Sequence, residues 1–286
     1  MTRHYGLQDL LTLMARLRDP EDGCPWDRKQ TWESIVPHTL EEAYEVADCI
    51  ERGDLDHLKE ELGDLLFQVV YYARFGEEEG RFDFNAIIDA LTHKLIHRHP
   101  HVFPEGHLDS RPGDQASSEA EVKSTWEALK AEERQQKQAA TSALDGIPAN
   151  LPAATRALKL QKRAARVGFD WDEAPRVLDK LEEELAEIRE ALAQGDQEAV
   201  AGEVGDLLFA TVNLARHLKV DPEAAIRKTN RKFESRFRYV ENCCQQAGTP
   251  LTQERQEDPQ LRLPLDTLEG YWQEAKRKEG PDEAVS

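Results

Sequence analysis

One pattern occurs twice in this 286-residue chain, and it dictates a helical hairpin. Glu41-Glu42-Ala43-Tyr44-Glu45 is followed by Glu61-Leu62-Gly63-Asp64. The second copy lies 142 residues further on (41 to 183, 64 to 206): Glu183-Glu184-Leu185-Ala186-Glu187, then Glu203-Val204-Gly205-Asp206. Residues three or four apart share a helix face, so Glu42 pairs with Glu45 and Glu61 with Asp64. Between the pairs stand Gly53, a helix stop, and Asp54, an N-cap for the next helix. Gly53 lies eight residues from both Glu45 and Glu61, and eleven from both Glu42 and Asp64. A chain that folds back at Gly53 brings those four carboxylates level on two antiparallel helices. The second copy repeats the arithmetic about Gly195 and Asp196.

Such a gathering needs compensation. Two like charges about 4 Å apart repel by roughly 4 kcal/mol at an effective dielectric near 20. A proton or a cation must therefore sit among them. An all-oxygen site suits a hard divalent ion, Mg²⁺ first, then Mn²⁺ or Ca²⁺. A solvated acidic helix face is the plain alternative, and two copies with the same spacing and the same apolar frame weigh against it.

Net charge and hydropathy narrow the partners. A formal charge of −19 excludes wrapping a nucleic acid polymer, which needs a basic footprint, but admits a small anion delivered with its cation. No apolar run reaches membrane-spanning length, and residues 1–19 lack a signal-peptide core, so a soluble cytoplasmic protein with no membrane partner is expected. Cys24, Cys49, Cys243 and Cys244 form no Cys-x-x-Cys pair and no disulfide framework.

In chain order, helical spacing covers residues 7–18, a break spans 19–27, and Pro37 and Thr39 introduce a helix from about 39 to 52. Asp54 starts the next, to about 79. Asp83 starts another, to about 97. Residues 104–118 are expected as a flexible loop, 119–139 as a helix and 140–152 as a linker. Then the sequence begins again. Residues 153–166 are helical, Gly168-Phe169-Asp170-Trp171-Asp172 answers Gly23-Cys24-Pro25-Trp26-Asp27, and DLLFATVNLAR answers DLLFQVVYYAR. Lys232 and Arg236 align with Lys94 and Arg98, and Trp272 and Lys276 with Trp126 and Lys130. The chain is thus an all-α tandem duplication, with units at 1–139 and 153–286. Lys232 and Arg236 share a helix face and suit a phosphate clamp, and Trp272 a base or the core.

The two carboxylate motifs, GCPWD, HRHPHVF and the closing WQEAKRKE resemble the MazG nucleoside triphosphate pyrophosphohydrolases of the all-α NTP pyrophosphatase group, over nearly the whole chain. The resemblance implies Mg²⁺-dependent hydrolysis of a nucleoside triphosphate between the α and β phosphates, giving the monophosphate and pyrophosphate, in a homodimer. It places metal ligands at Glu184, Glu187, Glu203 and Asp206, with Glu183 beside them and Lys180 as the basic helper; Glu183, Glu184 and Lys180 are the catalytic candidates. It places substrate contacts at Asn230, Lys232, Arg236 and Trp272. Glu42, Glu45, Glu61 and Asp64 are a second candidate metal site.

The copies differ. His38 stands where the second has Lys180, Thr92 where it has Asn230, and Glu60 where it has Gly202. All three weaken the first copy as a triphosphate site, so the second is expected to carry the chemistry. The competing reading is a helical dimerisation or regulatory module that kept the fold and lost the activity, and it suits the first half better. A di-iron carboxylate bundle uses Glu-x-x-His, and none of the nine histidines follows a Glu by three.

Overall fold

A computed structural model describes residues 4–111, 118–137, 142–252 and 261–278. Among them there are ten α-helices, one short 3₁₀ turn and no strand. The chain divides into two compact units, Met1–Lys137 and Gln138–Ser286.

The first unit holds α1 (Leu7–Leu17), the 3₁₀ turn Asp27–Lys29, α2 (Trp32–Arg52), α3 (Leu55–Glu78), α4 (Phe84–Arg98) and α5 (Glu119–Lys137). Helices α2 and α3 form the predicted hairpin, with α1 and α4 against α3. Gly53 ends α2 at φ 72°, a left-handed conformation that costs a glycine least. Asp54 caps α3 by accepting from the His57 N–H, and Asp83 caps α4 by accepting from Ala86.

The expected start of α2 needs correction. The helix begins at Trp32, not near residue 39, and runs through Pro37. Thr31 accepts from the Ser34 amide, and the Ser34 hydroxyl accepts from the Thr31 amide. That reciprocal cap, with Ile35 buried at 1% exposure, outweighs the one backbone hydrogen bond that Pro37 forfeits.

The first unit's core is a dense cluster around Met14, Ile35, Val70, Tyr71 and Phe75. Trp32 stacks on Tyr72 at 5.9 Å between ring centroids. The Tyr71 hydroxyl donates to the buried carboxylate of Asp27, and Arg18 bonds the Asp27 carbonyl and pairs with Glu78 at 2.7 Å.

The second unit repeats the plan with α6 (Ala153–Arg166), α7 (Ala174–Gln194), α8 (Gln197–His217), α9 (Pro222–Gln246) and α10 (Leu265–Lys278). Helices α7 and α8 are its hairpin, α6 packs on α8 and α9, and α10 packs on α9. Gly195 turns the hairpin at φ 73°, and Asp196 caps α8 by accepting from Glu198 and Ala199. The stretch before α6 lies within this unit: Arg163 donates to the Ala143 carbonyl at 3.1 Å. Of the expected loop at 104–118 and the expected linker at 140–152, residues 112–117 and 140–141 lie outside the described residues.

Candidate active site

The hairpin of the second unit brings three of the four expected carboxylates together. One oxygen each from Glu184, Glu187 and Glu203 lies within 4.8 Å of the other two. Glu184 is 4% exposed, an unusual depth for a carboxylate. Its compensation is Lys180, one turn earlier on α7, whose Nζ stands 2.8 Å from Glu184 Oε1 and 2.8 Å from Glu183 Oε1. Those two carboxylates hold the Lys180 ammonium above its ordinary pKa. Glu187 is pushed up by burial and by the charges of Glu184, Glu203 and Glu183, with Lys180 opposing.

The cluster fits a hard cation. Oxygen ligands sit about 2.0–2.6 Å from Mg²⁺ or Ca²⁺, and three oxygens this close can share one ion. The upward push on Glu187 is the electrostatic cost such an ion removes. Asp206 stands apart from the three-oxygen group: it is exposed on α8 and lines the adjoining cavity with Glu184.

That cavity, of ≈ 460 Å³, is the second half of the site. It lies within the size range of small-molecule pockets. Lys180, Glu184 and Asp206 form part of its wall. Leu144, Leu160, Phe169, Trp171 and Phe209 supply apolar surface, and Gln161, Asn213, Asp170 and Arg216 supply polar groups. The last two belong to a network. Arg216 pairs with Asp170, His217 Nε2 stands 3.1 Å from the same Asp170 oxygen, and Arg216 Nε donates to Asn213 Oδ1 at 2.8 Å. Burial pushes the Asp170 carboxyl up, but Arg216 and His217 win and hold it below its ordinary value.

The four residues expected to contact substrate do not line this cavity. Asn230 and Lys232 are exposed on α9. Trp272, on α10, packs against Phe233 at 5.2 Å, and the Arg236 guanidinium lies 5.8 Å from its ring. Arg236, Phe233 and Trp272 thus cluster between α9 and α10, outside the cavity lining. The residues that the motif reading passed over are the rest of the cavity wall, Gln161 and Asn213 among them. Their signal was available: Gln161 and Asn213 are amides on otherwise buried helix faces.

The first unit brings together Glu42, Glu45 and Glu61, again within 4.8 Å. Burial and then Asp64, Glu45 and Glu61 raise Glu42, and burial, Glu45 and Asp64 raise Glu61. No ammonium answers them from position 38: His38 Nδ1 reaches Glu41 at 3.7 Å. The larger difference lies behind the cluster. At the hairpin offset of 142, Tyr71 stands where the second unit has Asn213, and Gln68 where it has Ala210. Both are buried, Tyr71 at 1% and Gln68 at 6% exposure, and the Tyr71 ring packs on Phe67 and Phe75. The first unit thus places larger buried side chains at the positions of two residues that line the cavity of the second.

Comparison with known proteins accords with this geometry. Residues 30–103 match the MazG nucleotide pyrophosphohydrolase domain, and residues 153–233 match the family described as phosphoribosyl-ATP pyrophosphohydrolase. The chain is 52% identical over 272 residues to the nucleoside triphosphate pyrophosphohydrolase of Escherichia coli K12, covering 94% of this chain and 97% of that protein.

The chain belongs to the MazG nucleotide pyrophosphohydrolase family.

A second MazG relative, the nucleoside triphosphate pyrophosphohydrolase/pyrophosphatase MazG of Thermotoga maritima, is 41% identical over 269 residues, 94% of this chain and 95% of the relative. The protein YabN of Bacillus subtilis is 38% identical over 277 residues, which is 53% of its own length. In this MazG chain the two units thus match two different pyrophosphohydrolase families. The unit with the open cavity is the one that matches the phosphoribosyl-ATP family.

Proposed function

We propose that the second unit is the working site of a Mg²⁺-dependent hydrolase that cleaves nucleoside triphosphates to monophosphate and pyrophosphate and so controls a nucleotide pool. This MazG-family chain is a nucleoside triphosphate pyrophosphohydrolase. The observation that carries the finer reading is the shared wall. Glu184 belongs both to the three-oxygen cluster and to the cavity. A nucleoside in the cavity then holds its phosphates against the carboxylates.

Glu184, Glu187, Glu203 and Asp206 would hold the divalent ion. When bound, the ion supplies Lewis-acid polarisation of phosphoryl oxygens and acidifies water. The protein's own groups do the rest. Glu183 or Glu184 orients the attacking water and takes its proton. The new bond forms at the α phosphorus, the bridge to the β phosphate breaks, and the pair of electrons leaves with pyrophosphate. Lys180 offsets charge beside the reacting centre. Asn230, Lys232, Arg236 and Trp272 are proposed as outer contacts for the substrate, supported by their grouping on α9 and α10.

The first unit is read as a copy that holds the fold without hydrolysing nucleotide, supported by Tyr71 and Gln68 in the space of the cavity. A homodimer is supported by repeated exposed apolar positions. Val36 and Leu178, Ile50 and Leu192, Leu62 and Val204, and Leu66 and Leu208 are equivalent in the two hairpins, and all are exposed. Among the described residues no helix is long and apolar enough to cross a membrane.

The test is a panel of nucleoside triphosphates with Mg²⁺ and product analysis. Monophosphate plus pyrophosphate supports the reading. Diphosphate plus phosphate would mean the wrong bond, and no turnover would leave a binding module.

A further inference from the structure

We propose that Gln161 and Asn213 read the base of the bound nucleotide. The inference rests on the cavity being the nucleoside site and adds which groups discriminate inside it. Both side chains line the cavity, from α6 and α8, and both are more than nine-tenths buried, at 7% and 3% exposure.

Each amide has its orientation set by a neighbour with only one role to play. Gln161 Nε2 donates to the Phe209 carbonyl at 2.8 Å. A carbonyl oxygen only accepts, so the Gln161 oxygen faces elsewhere, and it is buried with no hydrogen-bond partner. Arg216 Nε donates to Asn213 Oδ1 at 2.8 Å. A guanidinium only donates, so Asn213 keeps its Nδ2 hydrogens for another group. Two residues of the cavity lining thus hold an unpartnered acceptor on one helix and an uncommitted donor on another. The edge of a nucleobase offers the complement, an N–H beside a ring nitrogen or a carbonyl.

The first unit supplies the control within the same chain. There the helix preceding the hairpin contributes Met14, packed in one cluster with Ile35 and Tyr71. These last two are the counterparts of Val177 and Asn213. Where the space is filled, the position of Asn213 carries an aromatic ring whose hydroxyl is committed to Asp27. Where the space is open, it carries an amide. Burying amide groups without full hydrogen bonding is unfavourable; Gln68 of the first unit carries that cost too, but Gln161 and Asn213 carry it in the lining of a cavity that a substrate can enter.

The experiment measures kcat/KM for the full-length chain and for Gln161→Met and Asn213→Ala. The substrates are ATP, GTP, CTP, UTP and ribose 5-triphosphate, which has the phosphates and sugar but no base. Both variants should lose on the order of tenfold or more on at least one base and change the ranking of the four. Hydrolysis of the base-less compound should be unchanged. Thermal unfolding without substrate should show Gln161→Met close to the parent, because removal of the unsatisfied acceptor offsets loss of the bond to the Phe209 carbonyl. Equal losses on all five compounds, an unaltered ranking, or a lowered melting temperature with a uniform loss would each overturn the assignment. The underlying cavity reading fails separately, if the parent chain handles ribose 5-triphosphate as well as every nucleotide.

Discussion

Lys180 Nζ lies 2.8 Å from Glu184 Oε1, and that contact ties the basic catalytic candidate to the three-carboxylate cluster. An ammonium one turn before a nearly buried carboxylate offsets the cost of taking that charge out of water. In the proposed site it also stands beside the place where phosphoryl charge would develop. Lys180→Ala should therefore lower kcat/KM by about 10²–10³-fold, the range seen when a preorganised electrostatic contact is removed. Lys180→Arg should recover part of the loss. The corresponding change in the first unit, His38→Ala, should cost far less. Steady-state pyrophosphate release measures all three, and equal losses at positions 38 and 180 would sink the asymmetry between the units.

Carboxylate replacements test the same asymmetry at the ligands. Glu184→Gln and Asp206→Ala should each reduce pyrophosphate release by at least about a hundredfold, with higher Mg²⁺ needed for half-maximal rate. Glu42→Gln and Asp64→Ala should leave most of the activity. Asp206 is the more informative of the pair. It lies outside the three-oxygen group yet on the cavity wall, so a loss there that rising Mg²⁺ does not rescue would mark it as a substrate contact.

Much of this was legible in the chain itself. The glycine at the centre of each motif and the aspartate after it are consequences of helix periodicity and of one left-handed residue, and the structure has both; of the four carboxylates expected level in each hairpin it groups the three glutamates and leaves the aspartate outside. The start of α2 was not, because Pro37 reads as a helix breaker when the cap at Thr31 and the burial of Ile35 are unknown. The cavity was hidden for a different reason. DLLFQVVYYAR and DLLFATVNLAR align as one apolar helix. Only tertiary packing reveals that Gln68 and Tyr71 fill the volume that Ala210 and Asn213 leave open.

That pair of differences makes a prediction of its own. Ala210→Gln with Asn213→Tyr should fill the cavity with the side chains of the first unit. Nucleotide hydrolysis should fall by at least about a hundredfold, since the substrate can no longer be positioned. Mg²⁺ binding measured by calorimetry should persist, because the carboxylates are untouched. Activity close to the parent would show that the nucleoside lies elsewhere.

Tyr71 itself holds the first unit together. Its hydroxyl donates to Asp27, a carboxylate at 7% exposure. Burial pushes the Tyr71 phenol well above its usual pKa, with Asp27 adding to the effect. Tyr71→Phe leaves the buried Asp27 short of a partner and should cost about 1–3 kcal/mol. Chemical denaturation should show an earlier midpoint for the first unit, and hydrolysis in the second should be retained.

Glu187 offers a test by pH. Its folded pKa is raised from 4.5, by burial first and then by neighbouring carboxylates. A raised folded pKa means stability that is present below the unfolded value and lost as pH rises through the folded one. At neutral pH without metal the ionised Glu187 therefore destabilises its hairpin. Glu187→Gln should raise the metal-free melting temperature at pH 7, and the advantage should shrink as pH falls toward 4.5. Saturating Mg²⁺ should reverse the order, because only the parent gains the full ligand set. A metal-free advantage that is the same at every pH would remove the electrostatic explanation.

The exposed apolar residues of the second hairpin carry the last prediction. Leu208 is 63% exposed and Leu192 57% exposed, and Leu178 and Val204 lie on the same pair of helices. The first hairpin repeats all four positions with Leu66, Ile50, Val36 and Leu62. Scattered surface leucines are ordinary, but apolar residues at matching positions of two diverged copies are not accounted for by chance exposure. A second copy of the chain, packing hairpin on hairpin, would bury them on both sides. Leu66→Glu with Leu208→Glu places like charges across any such two-fold contact. Sedimentation should then show the parent at twice the chain mass and the double variant at the chain mass or in a concentration-dependent mixture. A parent that sediments as one chain, or a double variant that still sediments as two, would remove the apolar faces as the basis of assembly.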